Sequence, residues 1–179
     1  MPEMLLTQDD IMKIPPGLLP MAVLSDSMRS LFGLLIKQHE SGVYNHFMWL
    51  NKPQTVASQG WTFKEKPVSD YFAGNRLKFW FFPSWTPEQK QIVCTAIDKA
   101  IALPWYKRIY DVPAILGQLL PEFMHGLIQI PGLKICSDWG NLIGEVEGEY
   151  KLAYPDPAQV DGWLKKCPNA KVYGRYVPD

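Results

Sequence analysis

An α+β fold, an antiparallel sheet packed against helices, is predicted by three observations. Between Val43 and Glu65, runs rich in β-formers are separated by turns too short to hold a helix, which makes an antiparallel meander. Two Pro-led boxes, Thr86-Pro87-Glu88-Gln89 and Asp156-Pro157-Ala158-Gln159, each precede apolar residues at helical spacing. Strand and helix signals follow one another with no internal repeat or low-complexity linker, so the 179 residues read as a single domain, 1–179, with 1–20 as a lead-in segment.

After a polar opening, Ile14-Pro15-Pro16-Gly17 is a turn-rich lead-in and Met21-Ala22-Val23-Leu24 a short buried strand. Ser25-Asp26-Ser27 supplies N-cap candidates for a helix carrying Met28, Leu31, Phe32 and Leu35 on one face, ended by Gly42. Val43 to Leu50 is apolar on both alternating faces, as in a strand inside a sheet, with His46 in its middle. Asn51-Lys52-Pro53 makes a turn, Gln54 to Ser58 a second strand, and Trp61 to Glu65 a third. A helical turn over Pro67 to Phe72 and a strand over Arg76 to Phe82 follow.

The Thr86 box opens a helix whose apolar face is Ile92, Val93, Ala96, Ile97, Ala100 and Ile101, which leaves Cys94 off the stripe, and Pro104 closes it. Pro104 to Asp111 reads as a loop. The span 112–130 is a packed helix or lid, broken by Gln118, Pro121, Glu122 and His125 too often to cross a membrane. A helix beginning at Cys136, a Gly- and Glu-rich loop, the Asp156 helix with Val160, Trp163 and Leu164, and a last strand from Lys171 to Val177 complete the chain.

Lysines plus arginines equal aspartates plus glutamates at 18 each, so there is no electrostatic case for nucleic acid. The seven Trp and eight Phe lack a basic groove and read as core rather than as platforms for single strands. The N-terminus has an early acid and no basic segment ahead of a long apolar run, so it is not a secretory signal. The protein is expected to be cytoplasmic, or to be virion-associated or exported by a route the sequence does not encode. Cys94, Cys136 and Cys167 are too few and too scattered for a disulfide framework or a CxxC metal site; neither metal nor cofactor is expected.

Chemistry concentrates at Cys136. Pro131-Gly132 delivers it to the first turn of a helix, where unpaired N–H groups carry partial positive charge and favour the thiolate. A lone Cys between Ile135 and a Trp is more often a small buried hydrophobe than a catalyst, so partners elsewhere decide the matter. A thiol nucleophile needs a base, usually histidine, and the base needs a group to orient it. His39 lies near the polar end of a helix and His125 in the interrupted 112–130 span. His46 stands apart, because imidazole within an apolar strand costs desolvation unless something polar faces it. A core histidine bonded to a carbonyl is the alternative.

The order of these pieces resembles the circularly permuted NlpC-type papain-like cysteine hydrolases, a group that includes the YiiX-like proteins and is related to the lecithin:retinol acyltransferase-like enzymes. The resemblance runs segment by segment from Met21 to the last helix. It rests on Tyr44-Asn45-His46-Phe47-Met48, Val56-Ala57-Ser58-Gln59-Gly60, Pro67 to Phe72, Tyr110-Asp111 and Ile135-Cys136-Ser137-Asp138, with Asp where the group usually has Glu. It implies a papain-like fold with the nucleophile Cys136 at a helix N-terminus and His46 as base, and Tyr110 as a second oxyanion donor. In that group a polar residue, often Glu, on the strand after the histidine orients the imidazole. Here the matching place falls at or beside Ala57, which cannot do so; Ser58, Gln54 and Gln59 remain as alternatives.

The resemblance implies hydrolysis of an amide or peptide bond of cell-wall type, so a peptide or muropeptide substrate, or a lipid acyl group. A non-catalytic binding module on the same fold, such as a virion, effector or inhibitor protein, is the alternative from another class. A membrane-surface acyltransferase is a third, for which only 112–130 offers a lipid-facing patch.

Overall fold

The structure, a computed structural model, describes residues 3–27, 44–109, 111, 134–148 and 155–178. The fold is α+β. Strands β1 (Met21–Ser27), β2 (His46–Lys52), β3 (Thr55–Gln59), β4 (Phe63–Pro67), β5 (Asn75–Phe81) and β6 (Lys171–Tyr176) form a six-stranded sheet in the order β4-β3-β2-β1-β5-β6. Each adjacent pair is antiparallel.

Several strand boundaries differ from the sequence expectation. Ser25, Asp26 and Ser27 continue β1 instead of capping a helix: Ser25 pairs with His46 on one side, while Asp26 pairs with Arg76 and Ser27 with Asn75 on the other. A central strand gains ladder hydrogen bonds from both neighbours, and that long-range pairing overrides the local capping preference of these residues. β2 begins at His46, so the imidazole stands at the mouth of the strand rather than in its middle. Asn51 and Lys52, expected in a turn, extend β2 past an irregularity, and the chain reverses at Pro53 and Gln54, the latter at φ 60.

Both faces of the sheet are covered, which the alternation of side chains records. On one face Phe47, Trp49, Trp80 and Phe82 pack against α2 (Pro87–Ala102), the 3-10 turn Cys136–Gly140, α3 (Asn141–Glu147) and α4 (Pro157–Lys166). On the other, Met48, Leu50, Val56 and Phe79 meet α1 (Gln8–Met12) and the 3-10 turn Val68–Tyr71, with Leu6, Ile11 and Ile14 buried among them. The N-terminal segment lies alongside β6, where Leu6 N–H donates to the Arg175 carbonyl at 2.7 Å. Gly174 permits this approach, because a Cβ there would come within 2.7 Å of Leu6.

The helix starts follow the sequence. Thr86 and Gln89 close a reciprocal capping box on α2, and Asp156 and Gln159 do the same for α4. Within α2, Val93 and Ile97 are fully buried while Ile92, expected on that face, is 49% exposed, because the stripe is centred one residue further on. A short 3-10 turn at Trp105–Lys107 lies in the stretch read as a loop. The expected helix after Ser27 and the span 112–130 lie outside the described residues. Among the described residues, no helix is long and apolar enough to cross a membrane.

Candidate functional site

The β2–β3 hairpin builds the first half of the site. Met48 pairs with Ser58, so Ser58 lies one diagonal step from His46 on the same face of the sheet. Its hydroxyl oxygen is 2.8 Å from His46 Nε2 and is fully buried. Tyr71, at the end of the turn after β4, donates its hydroxyl to the same Ser58 oxygen at 2.6 Å. The Tyr71 ring also stacks on the imidazole, with centroids 6.3 Å apart and planes 13° from parallel. Ser58 thus holds a ring nitrogen and a phenol on one oxygen, which its two lone pairs and one proton allow.

Burial pushes the His46 pKa down to about 4, and the charge of Lys66 acts in the same direction. Lys66 Nζ sits 5.8 Å from the centre of the Tyr71 ring. The imidazole is therefore neutral near pH 7. Burial raises the Tyr71 pKa, against the lowering effect of the Ser58 hydrogen bond, with further raising by charges on Asp70 and Cys136.

The second half is the segment that presents Cys136. Ile135 is extended, and the Asp138 carboxylate accepts its N–H at 2.8 Å, which sets the start of the turn. Burial raises the Asp138 pKa, an effect that this hydrogen bond and the charge of Lys134 temper. The turn is pinned to the sheet through Trp139: Trp49 Nε1 donates to its carbonyl at 2.9 Å, and Phe63 stacks on its ring at 3.9 Å. Gln59 accepts from Trp139 Nε1 at 3.3 Å and donates to the Arg108 carbonyl at 2.9 Å. A Cβ on Gly140 would meet Val160 at 3.0 Å, so glycine is what lets the turn close onto α4. Cys136 itself is 3% exposed.

The structure thus brings Ser58 to His46 and assigns Gln59 a different task, anchoring the Cys136–Gly140 turn. Gln54 sits in the β2–β3 reversal and donates to the Met12 carbonyl, away from the imidazole. Ala57 faces the opposite side of the sheet, within the Trp49 core. Tyr110, His39 and His125 lie outside the described residues. Tyr71 and Lys66 were not anticipated as part of the site: a tyrosine beyond the next strand carries no local spacing signal, and only the register of the sheet places it beside His46. Cys94 is half-buried and its thiol is pushed up by burial, while Cys167 is buried. Among the described residues, no group of His, Cys, Asp and Glu is placed to hold a metal ion. The chain matches no protein-family model and no curated protein.

Proposed function

We propose that the protein is a thiol hydrolase that cleaves an amide or peptide bond of cell-wall type on a circularly permuted papain-like scaffold. Cys136 is the nucleophile, His46 the base, and Ser58 the group that orients the imidazole. The observation that carries this reading is the 2.8 Å contact between Ser58 Oγ and His46 Nε2 on adjoining strands. A hydroxyl stands where the resembling family has a longer polar side chain, and on this reading it takes Nε2 and leaves Nδ1 for the thiol. The Tyr71 hydrogen bond supports it further, since it holds the Ser58 oxygen beside the ring; the reading takes the tautomer with the proton on Nε2.

The chemistry follows from that tautomer. Nδ1 takes the Cys136 proton as the sulfur attacks the carbonyl carbon, and Nε2–H leans on Ser58 while the ring is positive. Backbone N–H groups at the head of the Cys136–Gly140 turn face the developing oxyanion, with Tyr110 as the proposed second donor. Collapse expels the amine, which takes the proton from Nδ1, and water then resolves the thioester. Because His46 is neutral at pH 7, its ring is free to take the thiol proton as attack begins.

The test is hydrolysis of muropeptides beside acyl-lipids by the purified protein and by Cys136→Ala and His46→Ala. Turnover of muropeptides lost in both variants supports the reading. Turnover of acyl-lipids alone moves the substrate class, and turnover indifferent to both substitutions removes the thiol mechanism.

One observation favours a second reading, a non-catalytic binding module on the same scaffold. Among the described residues, the group bonded to the imidazole is a hydroxyl with no charge to stabilise an imidazolium. Tight binding of a muropeptide without turnover is what that reading expects.

A further inference from the structure

A second feature lies on the opposite face of the sheet from His46. A cavity of about 340 Å³ opens beside the Cys136–Gly140 turn, with Trp139 and Gln59 in its lining. Four cations from three segments converge on it: Lys99 from α2, Lys107 and Arg108 from the turn that follows, and Lys134 ahead of Cys136. Among the described residues of the lining Glu145 is the single carboxylate, so the described cations outnumber it four to one. Among the described residues no ion pair joins any of the four to a carboxylate. Lys134 instead lies over the Trp139 ring at 4.3 Å, and Arg108 donates to the Phe63 carbonyl while its Nε is buried with no partner among the described residues. Cations gathered at one opening give it a positive potential that favours an incoming anion.

We infer that this cavity binds the carboxylate side chain of an acidic peptide. The volume is at the lower end of the roughly 300–1,000 Å³ range of ligand pockets, large enough for a side chain and its flanking backbone. Its walls include Ala96, Ala100 and Leu142, which a bare inorganic anion leaves uncovered. Leu103 on the rim, and the neighbouring Trp105 and Tyr106, are exposed and offer apolar surface to residues beside the acid. The inference stands apart from the hydrolase reading, because the cavity and His46 lie on opposite faces of the sheet, and Trp139 is the residue that joins the cavity to the segment carrying Cys136.

Binding is measured by titration calorimetry on Cys136→Ala, or on Cys136→Ser if the alanine variant loses its near-UV circular dichroism. The probes are N-acetyl-Ala-Glu-Ala-amide, its Gln counterpart, and inorganic phosphate. The Glu peptide binds about tenfold or more tightly than the Gln peptide, a preference abolished by Lys99→Glu with Lys107→Glu and weakened as salt rises from about 50 to about 500 mM. Equal affinity for the two peptides, a preference that survives charge reversal, binding of phosphate alone, or no binding of the Glu peptide at millimolar concentration overturns the inference. Glu-selective binding with no cleavage by the unsubstituted protein keeps the cavity and removes the hydrolase. Cleavage without Glu selectivity does the reverse.

Discussion

Replacing Ser58 by Ala removes the one oxygen on which His46 and Tyr71 converge. Ser58 is fully buried, and its Oγ lies 2.8 Å from His46 Nε2 and 2.6 Å from the Tyr71 hydroxyl. Alanine fits the space but leaves an imidazole nitrogen and a phenol without that partner, at about 1–3 kcal/mol for each orphaned group. Both residues are only partly buried, so water recovers part of the loss. The expected destabilisation is about 2–3 kcal/mol, which for a domain of this size lowers Tm by about 4–12 °C. The same change frees the imidazole to rotate and to take the other tautomer, so alkylation of Cys136 by iodoacetamide slows about tenfold or more. Calorimetry and mass-resolved alkylation read the two effects separately, and Ser58→Thr, which keeps the hydroxyl, serves as control. A lower Tm with unchanged alkylation refutes the orienting role and leaves Ser58 a packing residue. No change in either refutes the hydrogen bond itself.

Three further outcomes follow from the same geometry. His46 titrates at about 4 in the folded chain against 6.5 unfolded, so the unfolded state binds the proton first as pH falls. Stability is full above about pH 6.5 and drops by on the order of 2–3 kcal/mol by pH 4, and His46→Gln flattens that part of a urea-unfolding pH profile. Lys66→Gln removes a charge that opposes the imidazolium, so the His46 pKa followed by proton NMR moves up and Cys136 alkylation accelerates; a downward shift contradicts the assignment. Lys78 is 1% exposed and paired with Asp161 at 3.1 Å, so Lys78→Met leaves a buried carboxylate and costs about 3–5 kcal/mol in denaturant unfolding, whereas a neutral result shows that Lys165 alone satisfies Asp161.

What was legible in the sequence is what local chemistry decides. Thr86-Pro87-Glu88-Gln89 and Asp156-Pro157-Ala158-Gln159 cap helices because both partners of each box lie within one turn. Thr7 and Asp10 make a similar box on α1, a helix hidden in the sequence by its single turn and polar surface. Ser25 to Ser27 has a local meaning, a cap, and a non-local one, a central strand, and the pairing with β2 and β5 decides in favour of the second. The site divides along the same line. His46 and Cys136 stand out by residue type, and the hairpin narrows the orienting group to three candidates. Choosing Ser58 over Gln54 and Gln59 requires the β2–β3 register and the face each side chain takes. Tyr71 requires one strand more, which no spacing rule supplies.

The central claim is that Cys136 is activated by His46, and the rates of alkylation of the three cysteines test it most directly. Exposure alone ranks Cys94, half-buried, ahead of Cys136 at 3% and Cys167 at 6%. Activation reverses that order. Near pH 7, where an ordinary thiol of pKa about 8.5 is only a few per cent thiolate, Cys136 reacts faster than Cys94 and Cys167, and His46→Ala slows Cys136 while leaving the other two unchanged. An order that follows exposure, with Cys94 first and Cys136 indifferent to His46→Ala, contradicts the claim.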